Sequence, residues 1–424
     1  MIHYITNMGI GDPWVGNELR VVEQAGIPFI LHAMRKPEGE YFVSPWAERL
    51  NRTTRLVYPI SPFGIMLSVV AAPFLFRGRF LNALANAFFG KRENVRGRIA
   101  GIAHLIVACH WARGLRREQV SLIHSQWIHS CGTIGMYGAW LLGVPFSFTG
   151  HAVDLFKYRV ALEDKIRRAD FIICISTFHR EFFKQNSARD EQLHIAYCGI
   201  DPRLFSPRPQ HSKRQGPFRI LSSGRLVEKK GFEYLIDTCK LLADRGEEFE
   251  CVIAGSGPLE RDLRARIDAV GLSDRVKMTG QPLKQEKIPE FMHSGDIYCL
   301  PCVWAKDNDV DGLPQMLMEA MACGLPVIST RLVGIPDLVI DGKTGLLVEP
   351  RNAEQLAEAI LSLKNEPDRA AQLAEAGRGW VVEKFNLSNC LEPLLNQFRS
   401  KLRQNTKAST AAEGVVATHK AASR

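Results

Sequence analysis

Short apolar runs recur along the chain at regular intervals, and between them apolar residues return at helical spacing. This is the pattern of βαβ units: buried parallel strands are near-continuously apolar, and amphipathic crossover helices cover them. In the first half the runs predict strands at Ile2–Thr6, Pro28–Ala33, Ser121–His124, Pro145–Thr149, Phe171–Ile175 and Leu193–Ala196. The second half repeats the alternation at Phe218–Ser223, Glu250–Ala254, Val276–Thr279, Ile297–Leu300, Val327–Ser329 and Leu346–Val348. Between the halves, Pro207 to Gly216 is polar and lacks apolar periodicity, which reads as a linker. The expected fold is α/β: a Rossmann-like domain over residues 1–206, a second over 217–386, and a helix over 387–403. The two domains are expected to face each other across a cleft, with strand carboxyl ends pointing into it. Residues 404–424 are small and polar and are expected to be disordered.

Three turns at predicted strand ends could carry chemistry. Asp311 opens D-G-L-P-Q-M-L-M-E, which sets a second carboxylate, Glu319, inside a short helix. Carboxylates accept hydrogen bonds from sugar hydroxyls, and a helix N-terminus favours a phosphate. In G-R-L-V-E-K-K-G, from Gly224 to Gly231, Arg225 and Lys230 cross a strand-to-helix turn. A guanidinium can fork onto two phosphate oxygens, and an ammonium adds a point charge. Gly255 and Gly257, in A-G-S-G-P, again end a strand and open a helix. Taken singly, each has a plainer reading: a surface glutamate, a solvated charge run, an ordinary βα loop.

Taken in order and spacing, the three motifs resemble the retaining glycosyltransferases of family 4, which have the GT-B fold. Among these the chain most resembles bacterial exopolysaccharide enzymes of the colanic-acid and amylovoran type. The resemblance runs to about residue 400 and is most specific from Gly224 to Pro350. It implies a hexosyltransferase that moves a sugar from a nucleotide diphosphate donor to a saccharide acceptor, lipid-linked, in exopolysaccharide or related glycan synthesis. It also implies that the final helix crosses back to the first domain. Arg225 and Lys230 would neutralise the diphosphate, and Glu319 would hold the ribose. Asp311 would face the donor sugar, although the family usually has Glu there; Gly312 and Leu313 would offer backbone N–H groups beside it. Gly255 and Gly257 complete the donor side. In the first domain, Gly150-His151-Ala152-Val153-Asp154 resembles the family's acceptor-side motif. His151 would touch the donor sugar near the reacting carbon, and Asp154 lies beside it. The family's Gly-Gly pair after the first strand is replaced by Val15-Gly16-Asn17, so only Gly16 carries over.

Composition narrows the setting. A chain of 424 residues with 46% apolar content can form two full cores. Ten scattered cysteines with no C-x-x-C pair read as reduced thiols, and the start lacks a secretory signal pattern, so a cytoplasmic protein is expected. No metal or other cofactor is expected. Asp307, Asp309 and Asp311 alternate, but they lack the bidentate Glu and the Gly placement of a calcium loop. The net charge of +9 is uneven: Arg77, Arg79, Lys91, Arg92, Arg96, Arg98, Arg113, Arg116 and Arg117 face one acid, Glu93, in that span. Beside it, Ile60 to Phe89 is apolar but too broken by Pro62, Pro73 and Gly78 to span a bilayer. With Phe74, Phe76, Phe80, Phe88 and Phe89, residues 60–117 are expected to contact the cytoplasmic face of a membrane peripherally; a pair of core helices is the alternative. A nucleic-acid partner is not expected. The competing functions are another GT-B enzyme, such as a phosphorylase or epimerase, and a non-enzymatic protein binding an anionic surface.

Overall fold

The computed structural model describes residues 1–422 apart from 12, 37–43, 158 and 208–215; side chains are described except at 13 and from 406 onward. Most of the predicted 207–216 linker lies outside the described residues. The described chain divides into two compact units. One comprises Met1–Ile175, His179–Ala196 and Leu391–Arg424; the other comprises Ser176–Phe178 and Tyr197–Cys390. The second unit therefore starts earlier than the sequence suggested. Ile200 pairs with Asn386, and Arg378 donates to the Phe205 carbonyl at 2.9 Å, which ties Tyr197–Ser206 to that unit.

The first unit holds a parallel sheet of β1 (Ile2–Thr6), β2 (Phe29–Ala33), β3 (Arg55–Leu56), β4 (Leu122–Gln126), β5 (Phe146–Gly150), β6 (Ala169–Cys174) and β7 (Leu193–Ile195). Their order is β3-β2-β1-β4-β5-β6-β7, so the winding reverses between β1 and β4. The exposed two-residue edge strand β3 was not anticipated. Strand β4 extends past its predicted end because its polar residues are satisfied inside the core. His124 reaches Ser147 Oγ at 2.8 Å and Thr149 Oγ1 at 3.2 Å.

The second unit holds β8 (Phe218–Ser223), β9 (Phe249–Ala254), β10 (Val276–Met278), β11 (Ile297–Leu300), β12 (Val327–Thr330) and β13 (Leu346–Val348). All pairs are parallel, in the order β10-β9-β8-β11-β12-β13, with the reversal between β8 and β11. In such sheets, ligands bind beyond the strand carboxyl ends at the reversal.

The last helix, Leu387–Ala422, begins in the second unit and continues in the first. Phe398 packs edge-on against Tyr4, His124 and Phe171, with centroids 5.6, 5.3 and 6.1 Å away. Lys401 pairs with Asp170 at 2.5 Å. The helix runs on through the stretch from 404 that the sequence marked as disordered. Helix formation follows backbone propensity, which the low apolar content that decided the expectation does not measure.

The segment predicted to meet a membrane forms two helices, Pro62–Phe76 and Gly78–Phe89, with a third at Val95–Leu115. One face is core: Ala72, Phe76, Phe80, Ala83 and Ala87 are buried. The other exposes Phe63, Met66, Val70, Phe74, Leu81, Phe88 and Phe89, with Phe74 79% and Phe89 87% exposed. Of the aromatics singled out in sequence, Phe76 and Phe80 are thus structural.

The basic run is also mixed in role. Arg92 is not on the surface: its side chain is 0% exposed and pairs with Asp164 at 2.7 Å. It also donates to the Tyr137 hydroxyl at 2.8 Å and to the Asn86 carbonyl at 2.9 Å. Burial pushes the Asp164 carboxyl up, but donors from Asn86, Arg92 and Arg167 outweigh it and hold the pKa below its usual value. Removing one partner of a buried pair leaves the other charge uncompensated. Arg92→Ala is therefore expected to lower unfolding stability by roughly 3–5 kcal/mol, read from urea denaturation. A loss below about 1 kcal/mol would put the pair among weak surface bridges.

Candidate active site

At the reversal in the second unit, loops from β8 and β11 bring opposite charges together. Lys230 Nζ lies 2.5 Å from Asp311 Oδ2. Lys229 Nζ lies 3.2 Å from Asp311 Oδ1 and 3.1 Å from Asp309 Oδ1. Cys302 Sγ adds a 3.7 Å contact to Asp311. Burial pushes the Asp311 carboxyl up, yet the two ammonium groups overcome it and hold the pKa at about 2. Burial likewise pulls Lys230 down, and Asp311 more than reverses it. Of the alternating aspartates, Asp309 and Asp311 are thus occupied by ammonium groups, and Asp307 accepts from the Asp309 N–H at 3.0 Å. Arg225, on the same loop, is exposed and makes no side-chain ion pair among the described residues. It is a cation beside the cluster without a protein counter-ion.

The loop that carries these cations is fixed by backbone docking. Gly224 N–H donates to the Ala254 carbonyl and Leu226 N–H to the Ser256 carbonyl, both at 2.9 Å. A Cβ at Gly255 would lie 1.9 Å from the Gly224 carbonyl oxygen, and one at Gly257 2.6 Å from that of Leu226. With φ of +152° and +159°, both positions require glycine on conformational grounds as well. Gly255 and Gly257 therefore act by letting two strand-end loops touch.

After β11, Gly312 and Leu313 precede the helix Gln315–Ala322. The Gly312 carbonyl accepts from Gly334 N–H at 3.1 Å, while neither Gly312 N–H nor Leu313 N–H has a hydrogen-bond partner among the described residues. Inside that helix Glu319 is 8% exposed, and its Oε2 is buried without a hydrogen-bond partner. Burial alone pushes its pKa up to about 7. A buried carboxylate oxygen with nothing to accept is costly and suits a ligand hydroxyl.

In the first unit, His151 follows β5 and is buried. Its Nε2 lies 3.0 Å from Gln126 Oε1, and its ring packs on Trp127 at 4.5 Å. Burial first, then the nearby His179 and His129, lowers its pKa to about 3, so the ring is neutral. Asp154 is buried beneath it and faces the backbone: it accepts from His151 N–H at 3.3 Å and His129 N–H at 3.2 Å. Its role is to fix the two loops. Lys165, also buried, donates to the Ile128, His129 and Val160 carbonyls of the same region. Gly16 lies in the helix Pro13–Gln24, where an added Cβ would meet only Ile10, at 3.9 Å. No described protein atom comes close enough there to require glycine.

Sequence reasoning gave no site role to Lys229, Asp309 and Cys302 in the second unit, nor in the first to Gln126, Trp127, Lys165 and the buried Glu18, which accepts from the Tyr4 hydroxyl at 3.2 Å. Lys229 adjoins a named lysine. Gln126 ends a strand beside the reversal, where the strand-end rule alone would have flagged it.

Two doubly wound parallel sheets, one with a cation cluster and an orphaned carboxylate at its reversal, define a GT-B protein. Comparison with known proteins gives the family. A model described as "Glycosyl transferases group 1" matches residues 206–380, and one described as "Glycosyltransferase Family 4" matches residues 77–204. The alpha-D-kanosaminyltransferase of Streptomyces kanamyceticus is 32% identical over 327 residues, covering 68% of this chain and 82% of that protein. The chain belongs to the group 1/family 4 glycosyltransferases. A putative colanic acid biosynthesis glycosyltransferase of Escherichia coli is 35% identical over 243 residues, covering 56% of this chain and 59% of the relative. An amylovoran biosynthesis glycosyltransferase of Erwinia amylovora is 38% identical over 197 residues, covering 46% and 48%. The chain thus spans about half the length of these two curated relatives. Among solved structures, Anabaena HepE in complex with UDP and glucose superposes with a TM-score of 0.66 over 94% of this chain and 99% of that one. At 17% identity this likeness is one of fold.

Glu319 gives a pH-dependent test. Its pKa rises from an ordinary 4.5 to about 7 on folding, so the unfolded chain ionises first. Stability is therefore lost as pH climbs from about 4.5 to about 7, and the cost is full above that. Glu319→Gln is expected to raise stability at pH 8 by roughly 1–3 kcal/mol, with the gain gone at pH 4. It is also expected to weaken UDP or GDP binding several-fold. Thermal melts at both pH values and calorimetric titration read the two effects; a pH-independent change would show Glu319 to be ionised or solvated in the fold.

Proposed function

We propose that this protein is a retaining hexosyltransferase that uses a nucleotide diphosphate sugar. The observation that carries this reading is the second unit's pairing of an excess of cations with a buried, unpartnered Glu319 oxygen. Arg225 and Lys230 would hold the diphosphate and stabilise the charge that develops as the sugar leaves. Because these cations serve, no metal is needed. Glu319 would accept from ribose hydroxyls, and the free N–H groups of Gly312 and Leu313 would meet the sugar or phosphate. Asp311, shorter than the usual Glu and held by both lysines, would reach the sugar hydroxyls less far, which favours a different donor preference.

The acceptor belongs to the first unit, beside His151. A neutral imidazole with a pKa near 3 is a poor general base at neutral pH. The acceptor hydroxyl's proton would pass to the departing phosphate oxygen as the sugar–phosphate bond breaks and the new glycosidic bond forms on the same face. The names of the colanic acid and amylovoran relatives support a role in exopolysaccharide synthesis. A lipid-linked saccharide would suit the surface described next.

We also propose peripheral membrane contact at the cytoplasmic face, through the outer faces of Pro62–Phe76 and Gly78–Phe89. No helix among the described residues is long and apolar enough to cross a membrane. The exposed Phe63, Phe74, Phe88 and Phe89 are accompanied by exposed Arg77, Arg79, Lys91 and Arg96. Apolar side chains inside a basic rim fit an anionic bilayer surface.

Arg225→Ala is the cleaner test of the donor site, because this exposed side chain supports no ion pair. Transfer from the donor identified by screening nucleotide sugars is expected to slow, its activation free energy rising by roughly 2–4 kcal/mol, with the melting temperature unchanged. Wild-type turnover in the folded variant would remove the diphosphate assignment. For the membrane, Phe74→Ser/Phe89→Ser and Arg77→Glu/Arg96→Glu are each expected to abolish most cosedimentation with phosphatidylglycerol-containing vesicles. Binding to neutral vesicles should be weak, and salt should release the wild type in part. Equal partitioning of the wild type to both vesicle types would refute the basic-rim account.

A further inference from the structure

Four charged side chains in the second unit form a line of alternating sign. Asp309 Oδ1 lies 3.1 Å from Lys229 Nζ, Lys229 Nζ lies 3.2 Å from Asp311 Oδ1, and Asp311 Oδ2 lies 2.5 Å from Lys230 Nζ. All four are largely withdrawn from water, at 13 to 16% exposure. A cation, Lys230, ends the line on one side, and an anion, Asp309, ends it on the other. Lys229 stands between the two carboxylates and makes no other ion pair among the described residues.

The two loops do not depend on the Lys229 side chain to stay together. Val303 N–H donates to the Lys229 carbonyl at 2.9 Å, and Lys306 N–H donates to Glu228 Oε2 at 3.1 Å. Gly231, at φ +68°, sits so close that an added Cβ would lie 1.9 Å from the Pro301 carbonyl oxygen. Asp309 is placed by its own loop: its N–H donates to Asp307 Oδ1 at 3.0 Å, and its carbonyl accepts from Ala305 N–H at 2.9 Å. A buried ion pair adds little to such a frame, since apolar residues of similar volume often replace one without loss. What Lys229 does set is the local charge. With it, the line of four is neutral and its positive end is Lys230. Without it, Asp309 and Asp311 face Lys230 alone, and the Glu228 and Asp307 carboxylates of the same loops deepen the negative excess. A charge held away from water acts strongly on its neighbours.

We propose that Lys229 is a positioning residue for the sugar donor: anchored by Asp309, its ammonium offsets the Asp311 carboxylate, so that Lys230 remains a net cation toward a diphosphate. The proposal rests on the reading above that Arg225 and Lys230 hold the donor diphosphate. Lys229 acts without touching that ligand. Lys230 has one ion-pair partner, Asp311, and an ammonium carries three N–H donors, so capacity remains for phosphate oxygens. Asp311 in turn gives one oxygen to each lysine, which divides its charge between them. The two outer members of the line therefore pull in opposite directions. Lys229 favours an anion at Lys230, whereas the charge of Asp309 opposes it and only the shape of Asp309 is useful, as an acceptor that keeps Lys229 on Asp311. A tie that merely held the loops together would give both members the same sign.

The test is calorimetric titration of the full chain with UDP, GDP and inorganic pyrophosphate at neutral pH and low salt. Pyrophosphate reports the charge site without a base or a sugar. Lys229→Met keeps the stem and removes the charge; it should weaken pyrophosphate, and whichever nucleotide the wild type binds, by at least about tenfold, with the gap narrowing as salt rises. Asp309→Asn keeps the shape and an acceptor for Lys229, and it should bind as tightly as the wild type or more tightly. Lys229→Met/Asp309→Asn returns the line to neutrality and should recover to within about threefold of the wild type. A merely structural tie would weaken binding in both single variants and in the double variant, because all three lose the ion pair. That result, or wild-type affinity in Lys229→Met, overturns the proposal. Should Lys229→Met fail to fold, Asp309→Asn decides by its sign, and weakened binding there overturns the proposal. Arg225→Ala separates the two readings. Weakened binding in Arg225→Ala with wild-type affinity in Lys229→Met removes the role of Lys229 alone. Unchanged binding in Arg225→Ala, or a wild type that binds none of the three ligands, overturns the donor reading and this proposal with it.

Discussion

The second unit depends on one carboxylate shared by two ammonium groups. Asp311 and Lys230 are both withdrawn from water, and each alone would carry a large desolvation cost. Together they are tolerable, because the neighbouring strands β8 and β11 end side by side and deliver them within 2.5 Å. Counting Lys229, Lys230 and Arg225 against Asp309 and Asp311, the cluster keeps one cation in excess. A strand-end site with that surplus and with free N–H groups at Gly312 and Leu313 is electrostatically incomplete. An anion completes it, whereas a neutral ligand would leave the surplus unanswered.

The two units satisfy their buried polar groups by different means. The second uses full charges in contact. The first uses chains of hydrogen bonds around His151, with burial keeping the imidazole neutral. This difference would match the chemistry that the proposed function asks of each. A diphosphate would be met by formal charge, and sugar hydroxyls, which carry none, would be distinguished by which partner donates and which accepts.

Much of the architecture was legible because βα alternation leaves a coarse imprint. Strands such as Ile2–Thr6, Phe218–Ser223 and Ile297–Leu300 fall where the apolar runs placed them. The edge strand Arg55–Leu56 left no imprint, since two exposed residues need no apolar run. The motif residues were legible for a similar reason: Lys230 and Asp311 lie in strand-end loops and Glu319 within the short helix Gln315–Ala322, and all three are residue types unusual for a core. Gln126 and Glu18 were not legible. Each looks like an ordinary polar residue until tertiary packing buries it, and neither has a sequence neighbour that explains its burial. Lys165, to which sequence reasoning assigned no role, and Asp154 are buried charges that organise backbone.

The basic, aromatic segment from Ile60 to Arg117 shows why a linear pattern could not separate its two roles. A helix presents several faces to its surroundings, so one sequence can supply both core and surface. Pro62–Phe76 and Gly78–Phe89 bury small residues and two phenylalanines inward while their larger apolar residues point out. The same division runs through the charges. Arg92 is buried to hold Asp164, and Arg98 is spent on the Phe88 carbonyl, while Arg77 and Arg96 remain exposed. The inward members fix the angle at which the outward members are displayed. A surface of exposed aromatics and arginines is stable in water only if the helices beneath it cannot rotate to bury them. The Arg92–Asp164–Tyr137 network, with Glu93 accepting the Ala161 and Leu162 N–H groups at 2.8 Å, supplies that restraint.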